Sequence, residues 1–108
     1  MARVLALVGD LMDRSRLSAA LDEVVFVRSF EEADIAAFDV VVIDLARSAD
    51  AVGSVRAACA DVRIVGFGPH VDDATLARAH AAGADDVLPR SRFFRDVGFA
   101  TFGASTGR

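Results

Sequence analysis

The chain has 108 residues, 54% of them hydrophobic, and a formal net charge of −4. That length suits one domain with one modest core, and that apolar content excludes a disordered chain. All twelve basic residues are arginines scattered along the sequence, which argues against a nucleic-acid surface, and no apolar run approaches a membrane span.

The first element is the apolar run Val4–Val8, a strand pattern that exits into Gly9 and Asp10. The N-terminus goes directly into this strand pattern and is expected to lack the cleavable region of a secretory signal. A helical stretch follows in "DRSRLSAAL", with Leu17 and Leu21 four apart on one face. Val24–Val27 reads as a second strand. "SFEEADIAAF" predicts a helix, because Ser29 followed by Glu32 has the spacing of a capping box. Val40–Ile43 is a third strand, apolar throughout, as expected of a strand buried on both faces, and it runs into Asp44. "SADAVGSVRAACA" predicts a helix that Gly53 weakens. Within it, the alanines around Cys59 suggest a small buried residue. A lone cysteine forms no internal disulfide, so the expected compartment is the cytoplasm.

Val62–Phe67 is the fourth strand and leads into "GFGPH", where Gly66 and Gly68 are expected to serve a tight turn. That segment lacks the spacing and lysine of a phosphate-binding loop. His70 follows in the loop, where a metal-ligand role is a minor alternative. "DDATLARAHAAG" predicts a helix with acids at its start and Gly83 as a left-handed stop; His80 is expected to be partly exposed on it. Asp86–Leu88 is the fifth strand, followed by "PRS" and a short helix over "SRFFRDV" with Phe93 and Val97 on one face. The tail is expected to fray from about residue 99.

Five strand–helix units predict an α/β fold: a five-stranded parallel sheet, doubly wound by right-handed crossovers, over residues 1–108 as one domain. In such a sheet ligands bind at the carboxyl ends of the strands, where strand order reverses. With the order 2-1-3-4-5, Asp10 and Asp44 end neighbouring strands at that point.

The acid after the first strand, "VVVID" ending in Asp44, and "AAGADDVL" before the last helix together resemble the receiver domain of two-component response regulators, from Val4 to about Val97. The resemblance implies a flavodoxin-like three-layer sandwich and a bacterial signalling role. It implies that Asp44 is the phosphoacceptor, that Asp10 and Asp44 are the Mg²⁺ candidates, and that Gly68 and Arg90 stand at the phosphate-contact positions. Several positions depart from the family pattern. Gly9 replaces one of two adjacent acids, Gly68 replaces a Ser or Thr, Arg90 replaces a lysine, Val87 replaces an aromatic, and Ser48 stands where a proline is usual. A carboxylate accepts a phosphoryl group only where the charge on that group is neutralised. Mg²⁺, which takes oxygen ligands, supplies most of that neutralisation, so two acids alone predict weak binding. The structural alternatives are that Asp10 and Asp44 are polar residues at a solvated sheet edge and that Arg90 neutralises them.

The expected function is therefore a stand-alone, pseudo-receiver-like signalling module, not an enzyme. It would act through protein contacts with phosphorylation impaired or absent and no required cofactor. The alternatives are a single-domain response regulator phosphorylated on Asp44 by a sensor kinase in a Mg²⁺-dependent phosphorelay, and a structural or oligomer-forming protein on the same fold. By resemblance, the face of the fourth helix, fifth strand and fifth helix is the expected site of a homodimer or protein partner, with Phe99 and Phe102 as candidate contacts. Exposed rings of that kind commonly mark interfaces.

Overall fold

The computed structural model describes residues 2–69 and 72–103. Its sheet has five parallel strands in the order β2-β1-β3-β4-β5: β1 (Val4–Leu7), β2 (Val24–Phe26), β3 (Val40–Asp44), β4 (Arg63–Gly68) and β5 (Asp86–Pro89). Around it lie α1 (Leu11–Ala20), α2 (Leu45–Ser48), α3 (Ala51–Ala58), α4 (Asp73–Ala82), α5 (Arg90–Arg95) and α6 (Val97–Phe102). This is the doubly wound, flavodoxin-like architecture that the alternating pattern predicts.

The parity of the strand residues explains why the strands read as unbroken apolar runs. Leu5, Leu7, Val41, Ile43 and Ile64 face one layer, where Val52 and Val55 of α3 and Ala79 of α4 cover them. Val4, Ala6, Val8, Val40, Val42, Val65 and Phe67 face the other, beneath Leu17 of α1 and Phe93, Val97 and Ala100 of α5 and α6. Alternate side chains point to opposite faces, so a sheet covered on both sides needs apolar residues at every position.

Several local expectations change. The segment after β2 forms two short 3₁₀ turns, Phe30–Glu32 and Ile35–Ala37, instead of one helix. A continuous α-helix at 100° per residue would spread Phe30, Ala33, Ile35 and Phe38 over more than half its circumference. The extended backbone at Ala33 and Asp34 lets all four reach the same core. The capping signals survive in altered form: Ser29 Oγ accepts from the Glu31 amide, and Glu32 reaches back to the Arg28 amide.

Gly66 is not in a turn. It lies inside β4, where a Cβ would come within 2.9 Å of the Leu45 side chain, so its role is to let α2 approach the sheet. Gly83 does take the predicted left-handed conformation, with φ of 119°. Cys59 is half-buried against the core instead of fully enclosed.

Helical structure continues past residue 99, since α6 runs to Phe102. The last helical stretch breaks at Asp96, whose carboxylate caps α6 through the Phe99 amide. Arg63 Nε donates to the Thr101 carbonyl, tying α6 to the start of β4. His70 and the tail after Gly103 lie outside the described residues.

Candidate functional site

The site lies at the carboxyl edge of the sheet, where β1, β3, β4 and β5 end side by side. Parallel pairing sets Leu7 opposite Ile43, Asp44 opposite Phe67, and Gly68 opposite Pro89. Asp10, Asp44, Gly68 and Arg90 therefore belong to one edge, as their places at strand exits predict.

Asp10 is exposed and acts as the N-cap of α1. Its Oδ1 accepts from the amides of Met12 and Asp13, at 2.9 and 3.0 Å. The Asp13 amide, most of all, favours the ionised form and holds the Asp10 carboxyl below its ordinary value; desolvation opposes this, and the Met12 amide and the charges of Arg90 and Arg47 assist it. Asp44 is buried at the end of β3. Its Oδ1 accepts from the Ala46 amide at 3.0 Å and so starts α2.

Asp13 is the site residue that strand ends do not reveal. It is a charged residue in the first turn of α1, and its side chain is 1% exposed. Arg90 closes on it with both terminal nitrogens; Nη1 donates to Oδ2 at 2.8 Å, and Nη2 donates to Oδ1. This is the two-pronged guanidinium–carboxylate geometry that lysine cannot supply. The guanidinium also lies over the rings of Phe94 and Phe67, at 5.2 and 5.8 Å from their centroids. Those rings are themselves locked: Phe67 stacks on Phe93 at 4.8 Å, and Phe94 meets both edge-on. The bond to Asp13, before any other cause, pushes the Arg90 pKa up against desolvation; the charges of Asp13, Asp44 and Asp10 add to it. Arg90 is thus a permanent cation at this edge. Its direct partner is Asp13, while Asp10 and Asp44 act on it through their charge alone.

As a donor set for a divalent cation these carboxylates are sparse. Among the described residues, no group of three or more acidic, histidine or cysteine side chains could hold a metal. Asp13 is neutralised by Arg90, and Asp10 Oδ1 is taken by two amides. Gly9 leaves room that an acid could occupy, since a Cβ there would meet nothing within 4 Å.

The phenylalanines separate by burial. Phe93 is buried, Phe94 and Phe102 are half-buried, and Phe99 is 59% exposed. Phe102 packs beside the end of α1, near Leu21 and Val4.

No protein-family profile and no curated protein matches the sequence. Solved structures do match. A response regulator from Burkholderia pseudomallei, determined with a phosphorylated aspartic acid, calcium and citrate, is similar at 18% identity and a TM-score of 0.78, covering 99% of this chain and 70% of that one. A response regulator from Thermotoga maritima is similar at 18% identity and 0.71, covering 83% and 85%. One from Burkholderia multivorans reaches 25% identity and 0.61, covering 83% and 84%. The chain has the fold of response-regulator receiver domains.

Proposed function

We propose that this chain is a receiver-fold signalling module that works through protein contacts, with phosphoryl transfer to Asp44 impaired or absent. The observation that supports this most is the Arg90–Asp13 pair. A phosphoryl group arriving at Asp44 needs a cation free to turn toward it. Arg90 is committed to a buried carboxylate that would be stranded if the guanidinium left. Gly68, at the end of β4, offers no hydroxyl to the same oxygens. Asp10 and Asp44 are left as weak ligands for Mg²⁺. No described helix is long and apolar enough to cross a membrane.

The test is incubation with Mg²⁺ and acetyl phosphate, read by intact mass. We expect no stable phosphate increment. An increment that Asp44→Asn abolishes would instead establish the working regulator, with a sensor kinase as its natural donor. A homodimer or partner contact at Phe99 is checked by light scattering across a concentration series of wild type and Phe99→Asp. A mass that falls only in the variant supports the contact.

A further inference from the structure

We propose that the cleft between α3 and α4 is a binding site for a small organic ligand with an apolar body and one anionic group. The cleft measures about 480 Å³, within the range of small-molecule pockets. Small side chains create it. Ala49 and Gly53 on one wall and Ala79 and Ala82 on the other leave unfilled the space that larger residues would take. Gly53 shows this directly, because a Cβ placed on it meets nothing within 4 Å.

The polar groups at the walls are uncommitted. Among the described residues, Arg78 and Asp50 have no ion-pair partner, and Asp50 makes no side-chain cap to α3. The two charges stand on opposite helices at the cleft. A ligand whose body lies on the apolar floor therefore seats a single anion at the Arg78 wall, away from Asp50. A guanidinium with no internal partner is a ready donor for a carboxylate, sulfonate or phosphate. A dication spanning the cleft would meet a like charge at Arg78, and a dianion would meet one at Asp50.

The cleft also adjoins the candidate site. Gly68, Leu45 and Ala46 line it, and the Ala46 amide is the donor that Asp44 caps. An occupant would press on the residues that hold Asp44, which makes the cleft an input that needs no phosphoryl group. This goes beyond the reading of Asp44, and an assay without a phosphodonor reports on the cleft alone.

The experiment uses two fluorescent probes on the full chain. One is 1-anilinonaphthalene-8-sulfonate, an aromatic body with one anion. The other is N-phenyl-1-naphthylamine, nearly the same body without the charge. We expect both to bind saturably at a single site, with Gly53→Leu and Ala82→Leu each abolishing binding by filling the cleft. Circular dichroism checks that the variants fold, and either variant alone is decisive if the other does not. Arg78→Gln should weaken the sulfonate about tenfold, the worth of one charge-assisted hydrogen bond, and leave the naphthylamine unchanged. No saturable binding, binding that survives a folded filled variant, or binding lost on Phe99→Ser would overturn the site. An Arg78→Gln variant that binds the sulfonate as wild type does would overturn the anionic end.

Discussion

Two arginines, at opposite ends of the sheet, solve different problems. Arg56 on α3 sits at the amino end of β4 and β5. It donates to the carbonyls of Gly83, Ala60 and Val62 and to the carboxylate of Asp85, which in turn accepts from the Ile64 amide. Arg90 sits at the carboxyl end, with one carboxylate, Asp13, and two aromatic faces. The first arginine closes backbone groups that the ends of α3 and α4 leave open. The second neutralises one buried charge and keeps its side chain 38% exposed at the carboxyl edge of the sheet. A many-partner arginine is built for stability, whereas a one-partner arginine holds a site in a chosen electrostatic state.

The comparison is tested most severely by Arg90→Ala. It leaves the Asp13 carboxylate buried without a partner, and the expected loss is about 3–5 kcal/mol in urea unfolding. Replacing Asp13 by Leu in the same chain should recover most of that loss. A small effect of the single variant would show that Asp13 finds another partner and that the pair does not anchor this edge.

Arg56→Ala should cost about 2–3 kcal/mol, because several charge-assisted bonds disappear together. Lysine sharpens the contrast. Arg56→Lys should rescue little, since one ammonium cannot reach the carbonyls of Ala60, Val62 and Gly83 and the Asp85 carboxylate together. Arg90→Lys should rescue more, since it has one carboxylate to meet. Equal rescue at both positions would erase the distinction drawn between them.

Asp44→Asn should raise stability slightly, by on the order of 1 kcal/mol, because it removes a buried charge that has no direct ion pair among the described residues, while the amide oxygen can keep the cap on α2. A marked loss would show that the Asp44 charge is needed by Arg90 as much as that of Asp13. Gly9→Asp probes the same charge balance from the other side. The backbone there is not in the left-handed region and the space is open, so the variant should fold and bind Mg²⁺ more tightly than wild type in a thermal-shift titration.

The smallest effect concerns Asp10. Its carboxyl is held below the ordinary value of 3.8, first by the Asp13 amide, so its folded pKa is the lower one. Its contribution is then present above the unfolded value and is lost as pH falls through the folded one. An NMR titration of the side-chain carboxyl should place its midpoint below 3.8, and Asp10→Asn should flatten the acid limb of stability below about pH 4. A midpoint at or above the ordinary value would mean that the cap to α1 does not persist in solution.

The sequence by itself determined what local pattern can encode. Unbroken apolar strands required a sheet covered on both faces, and alternation with helices required parallel pairing. Strand exits then placed Asp10, Asp44, Gly68 and Arg90 on one edge, because a residue that ends a strand must lie at that strand's end. Gly83 was legible for the same reason: a helix stop is a local backbone requirement.

The tertiary structure decided everything that depends on which distant residues meet. Asp13 has no strand-end position, and its partner lies 77 residues away, so nothing in its neighbourhood marks it as the buried half of the site. Gly66 reads as a turn residue until Leu45 is seen to occupy its missing side chain. The segment from Phe30 to Phe38 carries a valid capping pattern, yet its apolar residues reach one core only if the helix breaks. Burial of a charge, close approach of two elements and satisfaction of one core by several residues are properties of the packed molecule. Local spacing constrains them only weakly, because the energy that fixes them comes from contacts across the chain.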